Sequence, residues 1–268
     1  MISGSYKHIK MKATTLLATQ NKSNMNIGII GSGEMGRCLA TKFTKLGHTV
    51  SIANSRGPAS LKQFTGDIGA EAATVEGATK NKDVIIVSIP QKNVPDLPKN
   101  LFKHLHEDVV VIDTGNYYPT LRDGALTGLE QIGIDSLWVQ EQLNIPVVKV
   151  FNSILATSIN DLGRPKDNKK RIAIAVSGDD TKAKEVVFKL IDELGFDPFD
   201  VGTIAQSWKQ QPGSSIYCRD INFEELKKRI ETMGTTWADM RDVMITKRKA
   251  DEALMAADYP AYLKGLLV

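Results

Sequence analysis

The chain has 268 residues, which is enough for one large domain or for a domain with a smaller partner. Its 42% hydrophobic and 24% charged content is typical of a globular protein, and a formal net charge of +3 is too small to indicate nucleic-acid or membrane binding. Two cysteines, Cys38 and Cys218, and four histidines show no disulfide framework and no metal-ligand spacing, so we predict no metal site.

Residues 1–24 precede the first predicted strand. They contain four lysines, several Ser and Thr, and no acidic residue. Their apolar stretch is short and interrupted by Thr, unlike the core of a signal peptide. We expect a disordered extension, with Met25 opening the folded part; an organelle transit peptide is the alternative, although Arg is absent. With no apolar run of about 18 residues, we expect a cytoplasmic protein.

Residues 25–56 carry the strongest pattern in the chain. A short apolar run at 26–30 predicts a buried strand, an amphipathic run at 34–46 predicts a helix, and residues 49–53 predict a second strand. Glycines in G-x-G-x-x-G spacing separate the first strand from the helix: Gly31, Gly33 and Gly36. Free N–H groups and the helix dipole favour an anion at such a turn. We therefore predict a dinucleotide-binding unit; the alternative is a tight turn without a ligand.

The end of the second strand indicates which dinucleotide is bound. NAD-binding units usually carry an acidic residue here to hold the ribose 2′-OH, whereas NADP-binding units use Arg. This chain has Asn54, Ser55 and Arg56 at that position and no acid. The amide and hydroxyl can donate hydrogen bonds, and a guanidinium suits a phosphate. We predict an NADP(H) site; the alternative is a polar loop with a solvated Arg.

Further strands are predicted at 83–90, 109–113, 147–151, 171–176 and 197–201, with a weak one at 72–75. Alternation with helices, including 136–143 and 181–194, predicts an α/β fold: a doubly wound, mostly parallel sheet of the Rossmann type. The stretch 121–133 reads as loop-rich. We expect an NADP-binding domain over 25–154 and a smaller α/β and helical region over 155–268.

The carboxyl ends of parallel strands face the ligand crevice in such a sheet. We therefore expect the residues at the later strand ends to line the cofactor: Ser88, Ile89, Pro90, Thr114, Asn116 and Asn152. The alternative for Pro90 is that it merely ends a strand.

Two helices are predicted near 222–233 and 236–256. On the second, the apolar residues Trp237, Met240, Val243 and Met244 could form a homodimer face, or they could pack on their own domain. The sequence leaves both possibilities open.

Several of these stretches together resemble a known family. GIIGSGEMGRCLA, IANSR, VSIP, VVKVFNS and QQPGSSIY are similar to sequences of NADPH-dependent reductases of the coenzyme F-420 (deazaflavin) type. The resemblance runs from about residue 25 to 217. It extends to the NADPH-binding domain of STEAP-type metalloreductases, which pass hydride to a flavin. It implies NADP(H) as cofactor, with deazaflavin F-420, FMN or FAD as a second cofactor or substrate, and dimerisation through the C-terminal part.

The resemblance also implies roles for individual residues. Ser32, Glu34 and Met35 would line the pyrophosphate turn, and Ser55 with Arg56 would take the 2′-phosphate. Ile89 and Pro90 would back the ribose and nicotinamide. Asn152 would lie where the nicotinamide meets the second cofactor.

Hydride transfer between two rings needs close, oriented stacking and exclusion of water rather than a strong acid or base. No His, Lys or Tyr stands out as a catalyst; Tyr117, Tyr118 and Asn152 are the polar candidates. One alternative is a dehydrogenase or imine reductase acting on a small carbonyl or imine. Such enzymes normally append a long helical domain, and residues 202–268 are short for that purpose. A second alternative is a non-catalytic NADP(H)-sensing protein.

Overall fold

A computed structural model describes residues 24–266. The expectation for residues 1–24 therefore lies outside the described residues, apart from Asn24. The described strands are β1 Asn26–Ile30, β2 Thr49–Ala53, β3 Glu71–Ala72, β4 Val84–Val87, β5 Val110–Asp113, β6 Val148–Lys149, β7 Ala173–Ser177 and β8 Asp197–Gly202. The helices are α1 Glu34–Lys45, α2 Lys62–Ile68, α3 Thr127–Ile132, α4 Asp135–Leu143, α5 Ala156–Asp161, α6 Thr181–Leu194, α7 Phe223–Thr232, α8 Trp237–Ala257 and α9 Tyr259–Leu266.

The strands form one sheet in the order β3-β2-β1-β4-β5-β6-β7-β8. Every neighbouring pair is parallel except β6 and β7, which are antiparallel. The reversal of strand order beside β1 is that of a doubly wound nucleotide-binding sheet. The predicted α/β fold class, with a helical C-terminal part, is confirmed. The boundary at residues 154 and 155 stays a prediction, since β7 and β8 continue the same sheet.

The core lies on both faces of this sheet because alternate residues of a strand point to opposite sides. Ile86 of β4 belongs to one buried cluster, together with Phe43 of α1. Its neighbour Val87 belongs to the cluster on the other face, together with Trp138 and Val139 of α4. Burial on both faces explains why the central strands are almost continuously apolar.

Three local predictions differ from the structure. The stretch 121–133, predicted to be loop-rich, includes α3 and the last residues of a single π-type turn at Pro119–Asp123. The predicted strand at 147–151 pairs only at Val148–Lys149, because Phe151 adopts a positive φ of 62° and leaves the ladder. The helices α5 and α9 were not predicted; they are short, and burial against neighbouring elements stabilises them.

The two predicted C-terminal helices are present as α7 and α8, and both have polar N-caps, Asn222 and Thr236. Three of the four apolar residues considered for a dimer face are used within the chain. Trp237 and Met240 pack against the buried cluster that contains Met244. Val243, in contrast, is 61% exposed. The homodimer stays a prediction.

Candidate functional site

The glycine turn between β1 and α1 requires glycine at two positions. Gly31 has a φ of +121°, and a Cβ there would lie 2.0 Å from the Ser88 carbonyl oxygen. A Cβ on Gly36 would lie 2.1 Å from the Gly31 carbonyl oxygen, so this glycine allows α1 to pack on the turn. A Cβ on Gly33 would meet no described atom within 4 Å. The turn is therefore closely packed at Gly31 and Gly36 and open at Gly33, and it lies at the N-terminus of a 12-residue helix.

The end of β2 is tied to this glycine turn by Asn54. Its Nδ2 donates to Ser32 Oγ at 3.1 Å and to Ser60 Oγ at 3.0 Å, and its Oδ1 accepts from the Arg56 backbone N–H at 2.9 Å. Asn54 thus shapes the loop rather than offering free donors. Ser55 and Arg56 are exposed, and the Arg56 guanidinium has no hydrogen bond or ion pair within residues 24–266.

Two cavities lie along the carboxyl ends of β1, β2, β4, β5 and β6. The first, the β2-side cavity, has a volume of about 720 Å³ and includes Ser32, Asn54, Ser55 and Arg56 in its lining. The second, the β6-side cavity, has a volume of about 340 Å³ and is lined at the strand ends by Thr114, Asn116 and Asn152. Both are lined by Gly33, Ser88, Ile89 and Pro90. The two cavities therefore form one crevice across the glycine turn.

Two asparagines join the ends of β5 and β6 on the floor of the β6-side cavity. Asn152 Nδ2 donates to Asn116 Oδ1 at 3.0 Å and to the Gln210 carbonyl oxygen at 2.7 Å, and Asn116 Nδ2 donates to the Asn152 carbonyl oxygen at 2.9 Å. Gln210 Nε2 donates to Asn152 Oδ1 at 2.8 Å. Both amide hydrogens of Asn152 are thus donated to other protein groups. This side chain therefore holds Asn116 and Gln210 in place at the floor of the cavity.

A buried ion pair lies beneath this floor. Lys149 is fully buried, and its Nζ donates to Asp113 Oδ2 at 2.9 Å and to the Gly115 carbonyl oxygen. Asp113 also accepts from Ser136 Oγ at 2.7 Å and from the Gly115 backbone N–H at 2.7 Å. These contacts hold the loop that follows β5 and leave Lys149 outside the lining of the cavity.

Asp135, the first residue of α4, lies close to this ion pair. Its Oδ2 accepts from the Tyr117 backbone N–H at 3.1 Å, but its Oδ1 has no hydrogen-bond partner in the described part of the chain. Burial raises the pKa of this carboxyl to about 6, although the nearby Lys149 and Arg248 oppose the shift.

The far wall of the β6-side cavity comes from the segment after β8, through Tyr217 and Cys218. The Tyr217 hydroxyl is hydrogen-bonded to that of Tyr118, and burial raises the pKa of both phenols well above their usual value. Burial also raises the pKa of the Cys218 thiol to about 12. At neutral pH these groups are hydrogen-bond donors, not bases. Cys218 is held at a positive φ of 51°.

Tyr117, one of the predicted catalytic candidates, does not line the crevice. It is fully buried, and its hydroxyl lies 2.8 Å from Glu130 Oε1 and accepts from the Leu126 backbone N–H at 3.0 Å. Successive residues of an extended segment point in opposite directions. Tyr117 therefore enters the core, and Tyr118 faces Tyr217.

Arg122, Tyr217 and Cys218 line the β6-side cavity and were not predicted as site residues. Arg122 lies in the stretch predicted to be loop-rich. The QQPGSSIY stretch, together with Cys218 directly after it, was the available signal for the other two. Within residues 24–266, no group of three or more His, Cys, Asp and Glu side chains could hold a metal ion. None of the described helices is both long enough and apolar enough to cross a membrane.

Comparison with known proteins gives the family of the glycine-turn region. Residues 26–117 match the family described as NADP oxidoreductase, coenzyme F420-dependent. This part of the chain is similar to that family. Metalloreductase STEAP3 of Rattus norvegicus is 28% identical over 192 residues, which are 71% of this chain and 36% of that relative. The chain thus spans about a third of the length of the metalloreductases it matches.

Solved structures share the fold. The hypothetical protein SMa0349 from Sinorhizobium meliloti superposes with a TM-score of 0.60 at 29% identity, over 74% of this chain and 95% of that one. A protein assigned as an F420-dependent NADP-reductase from Arthrobacter sp. FB24 gives a TM-score of 0.54 at 21% identity, over 69% of this chain and 88% of that one. At the latter identity the likeness shows the fold alone.

Proposed function

We propose that the chain is an NADPH-dependent oxidoreductase, and that it passes a hydride from NADPH to a second ring compound, a deazaflavin or a flavin. The observation that carries this proposal is the continuous crevice. An unpaired Arg56 lines one end, the glycine turn and α1 N-terminus lie in the middle, and a cavity of about 340 Å³ lies at the other end.

Arg56 supports the assignment of NADP(H) rather than NAD(H). Its guanidinium has no protein partner in the described chain, and β2 ends without a carboxylate that would hold a ribose 2′-OH. Ser55, next to it, adds an exposed hydroxyl. A 2′-phosphate placed here would accept charge-assisted hydrogen bonds. Arg56 and Ser55 would therefore bind the end of the cofactor that distinguishes NADPH from NADH.

The β6-side cavity supports hydride transfer at the other end. Its lining combines apolar side chains, such as Ile89, Pro90 and Leu155, with asparagines whose amide groups are already paired. Such a surface can exclude water and hold two rings against each other, which is what hydride transfer requires. NADPH supplies the hydride, and the protein supplies the orientation.

The full-length protein should be tested by following NADPH absorbance with different acceptors. Oxidation of NADPH with FMN, FAD or a deazaflavin, and slower oxidation with simple carbonyls and imines, is the expected result. Oxidation only with carbonyls or imines would favour the dehydrogenase or imine-reductase alternative. Binding of NADPH without turnover by any acceptor would overturn the proposal in favour of an NADP(H)-sensing protein.

One observation favours the carbonyl or imine alternative as a second candidate. Reduction of a small carbonyl requires a proton donor beside the hydride acceptor, and Tyr217 lines the cavity with its hydroxyl backed by Tyr118. If this candidate is right, Tyr217→Phe should slow carbonyl reduction by roughly 10²-fold or more, with NADPH affinity unchanged. Equal carbonyl turnover by the variant would count against it.

A further inference from the structure

A short turn beyond β5 presents an arginine to the β6-side cavity. Arg122 lies in the π-type turn Pro119–Asp123, and its side chain is 37% exposed. Among the described residues that line this cavity, Arg122 and Glu34 carry charged side chains. Glu34 begins α1, on the glycine-turn side, whereas Arg122 lies beyond the ends of β4 and β5. The charged residue that lines the β5 end of the cavity is therefore a cation, paired on one side with Asp123.

Arg122 is held by one edge of its guanidinium. Nε donates to Asp123 Oδ1 at 3.1 Å, and Nη2 donates to Asp123 Oδ2 at 2.9 Å and to the Asn116 carbonyl oxygen. The guanidinium carbon lies 5.3 Å from the centre of the Tyr118 ring. Nη1 makes no hydrogen bond within residues 24–266. The Nε and Nη2 hydrogens are thus all used, and the two Nη1 hydrogens are available for a ligand.

The backbone of the turn is braced from two directions. Glu252 of α8, which is buried, accepts from the Thr120 and Leu121 backbone N–H groups at 2.7 and 2.8 Å. Lys92, which follows the end of β4, donates to the Arg122 carbonyl oxygen at 2.7 Å. Distant parts of the chain therefore hold Arg122 in place, so that its side chain loses less conformational entropy when it binds a ligand.

We propose that Arg122 binds a negatively charged group, a phosphate or carboxylate, of the hydride acceptor, and that it makes the protein selective for anionic acceptors. This inference rests on the proposed function, which places the acceptor in the β6-side cavity. The free Nη1 hydrogens of a fixed guanidinium can donate charge-assisted hydrogen bonds to such an oxygen anion. Neutral acceptors of the same ring system lack this contact.

FMN and riboflavin provide the test because they differ only in the 5′-phosphate. Their binding to the NADP⁺-loaded full-length protein can be measured from flavin fluorescence, and NADPH oxidation can be followed separately. We expect FMN to bind at least about tenfold more tightly than riboflavin. Arg122→Gln should reduce this preference to about twofold or less, with riboflavin affinity unchanged. Equal binding of the two flavins by the wild type, or an undiminished preference in Arg122→Gln, would overturn the inference.

Two further variants guard against misinterpretation. Arg122→Gln leaves the buried Asp123 carboxylate without its cationic partner and could unfold the protein. In that case the double variant Arg122→Gln/Asp123→Asn, which removes both charges, is measured instead. It should show the same loss of preference for FMN over riboflavin. Arg56→Ala is the matched control: it should weaken NADPH binding and leave the ratio of FMN to riboflavin affinity unchanged.

The two measurements separate this inference from the proposed function. Equal binding of both flavins with NADPH-dependent reduction contradicts the inference alone. Phosphate-dependent binding without reduction supports the inference and contradicts the proposed reaction. Failure of both flavins to bind contradicts the inference and the flavin acceptor together.

Discussion

Asn116 and Asn152 hold each other in place on the floor of the crevice. The Asn152 amide donates to Asn116 Oδ1 at 3.0 Å, and the Asn116 amide donates to the Asn152 carbonyl oxygen at 2.9 Å. The two residues lie 36 positions apart in the sequence, at the ends of neighbouring strands. This reciprocal pair, closed from below by Gln210, fixes the surface on which we expect the nicotinamide to lie.

Asn152→Ala should therefore destabilise the protein and disorder the floor. The substitution leaves the buried Gln210 carbonyl oxygen and Asn116 Oδ1 without their donor, which costs roughly 1–3 kcal/mol in the free energy of unfolding. Urea unfolding measures this loss, and NADPH titration measures the effect on binding. Asn100→Ala, at an exposed position, is the control and should change neither quantity. A stable Asn152→Ala variant with unchanged NADPH affinity would contradict the positioning role.

Lys149→Met should be more damaging. Lys149 and Asp113 form a fully buried pair, and removal of one partner leaves an uncompensated charge, which costs about 3–5 kcal/mol. Adding Asp113→Asn should recover much of the lost stability, because the amide oxygen can still accept from the Gly115 N–H and the amide nitrogen can donate to Ser136 Oγ. The exposed pair of Lys227 and Glu231 is the comparison, where Lys227→Ala should cost less than about 1 kcal/mol. Equal losses at the two sites would contradict this account of the ion pair.

Asp135 should make stability depend on pH. Burial raises its pKa to about 6, well above the usual value for an aspartate, so the folded protein keeps this proton at pH values where the unfolded chain has lost it. The resulting stabilisation is present below about pH 4 and is lost as the pH rises towards and beyond 6. Asp135→Asn removes the titration. The free energy of unfolding of the variant, minus that of the wild type, should be about 2–3 kcal/mol larger at pH 7.5 than at pH 4. A difference that does not change with pH in urea unfolding would refute the assignment.

The two cysteines should react slowly in the folded protein. Burial raises the pKa of Cys38 to about 11 and that of Cys218 to about 12, so little thiolate is present at pH 8. Alkylation by iodoacetamide, followed by mass spectrometry, should be at least about a hundredfold slower than for a free cysteine. Both residues should react fully in denaturant. Rapid modification of Cys218 in the native protein would show that its thiol is not buried as described.

Local sequence patterns predicted the residues around the glycine turn, where we expect the cofactor to bind. The glycines, Arg56 and Pro90 each belong to a contiguous strand-and-turn signal, and the parallel sheet brings those turns to one edge. Asn116 and Asn152 were also found from their strand ends. Their mutual hydrogen bonds could not be predicted, because these depend on how neighbouring strands pair.

The lining of the β6-side cavity could not be predicted in the same way. The hydroxyls of Tyr118 and Tyr217 meet across 99 positions of sequence, and Glu252 braces the Arg122 turn from more than 130 positions away. No periodic pattern encodes such contacts. Tyr117 and Tyr118 were both candidates, and Tyr118 is the one that contacts a lining residue of the cavity, Tyr217. The side-chain direction of two adjacent tyrosines depends on the path of the backbone after β5.

The central claim is that the crevice binds NADP(H) through Arg56. The most direct test is to measure the dissociation constants of NADPH and NADH for the wild type and for Arg56→Ala. The wild type should bind NADPH much more tightly than NADH. The variant should lose about 1.5–3 kcal/mol of NADPH binding, the range for a hydrogen bond to a charged group, with little change for NADH. An equal loss for both nucleotides, or no preference in the wild type, would contradict the assignment of the 2′-phosphate to Arg56.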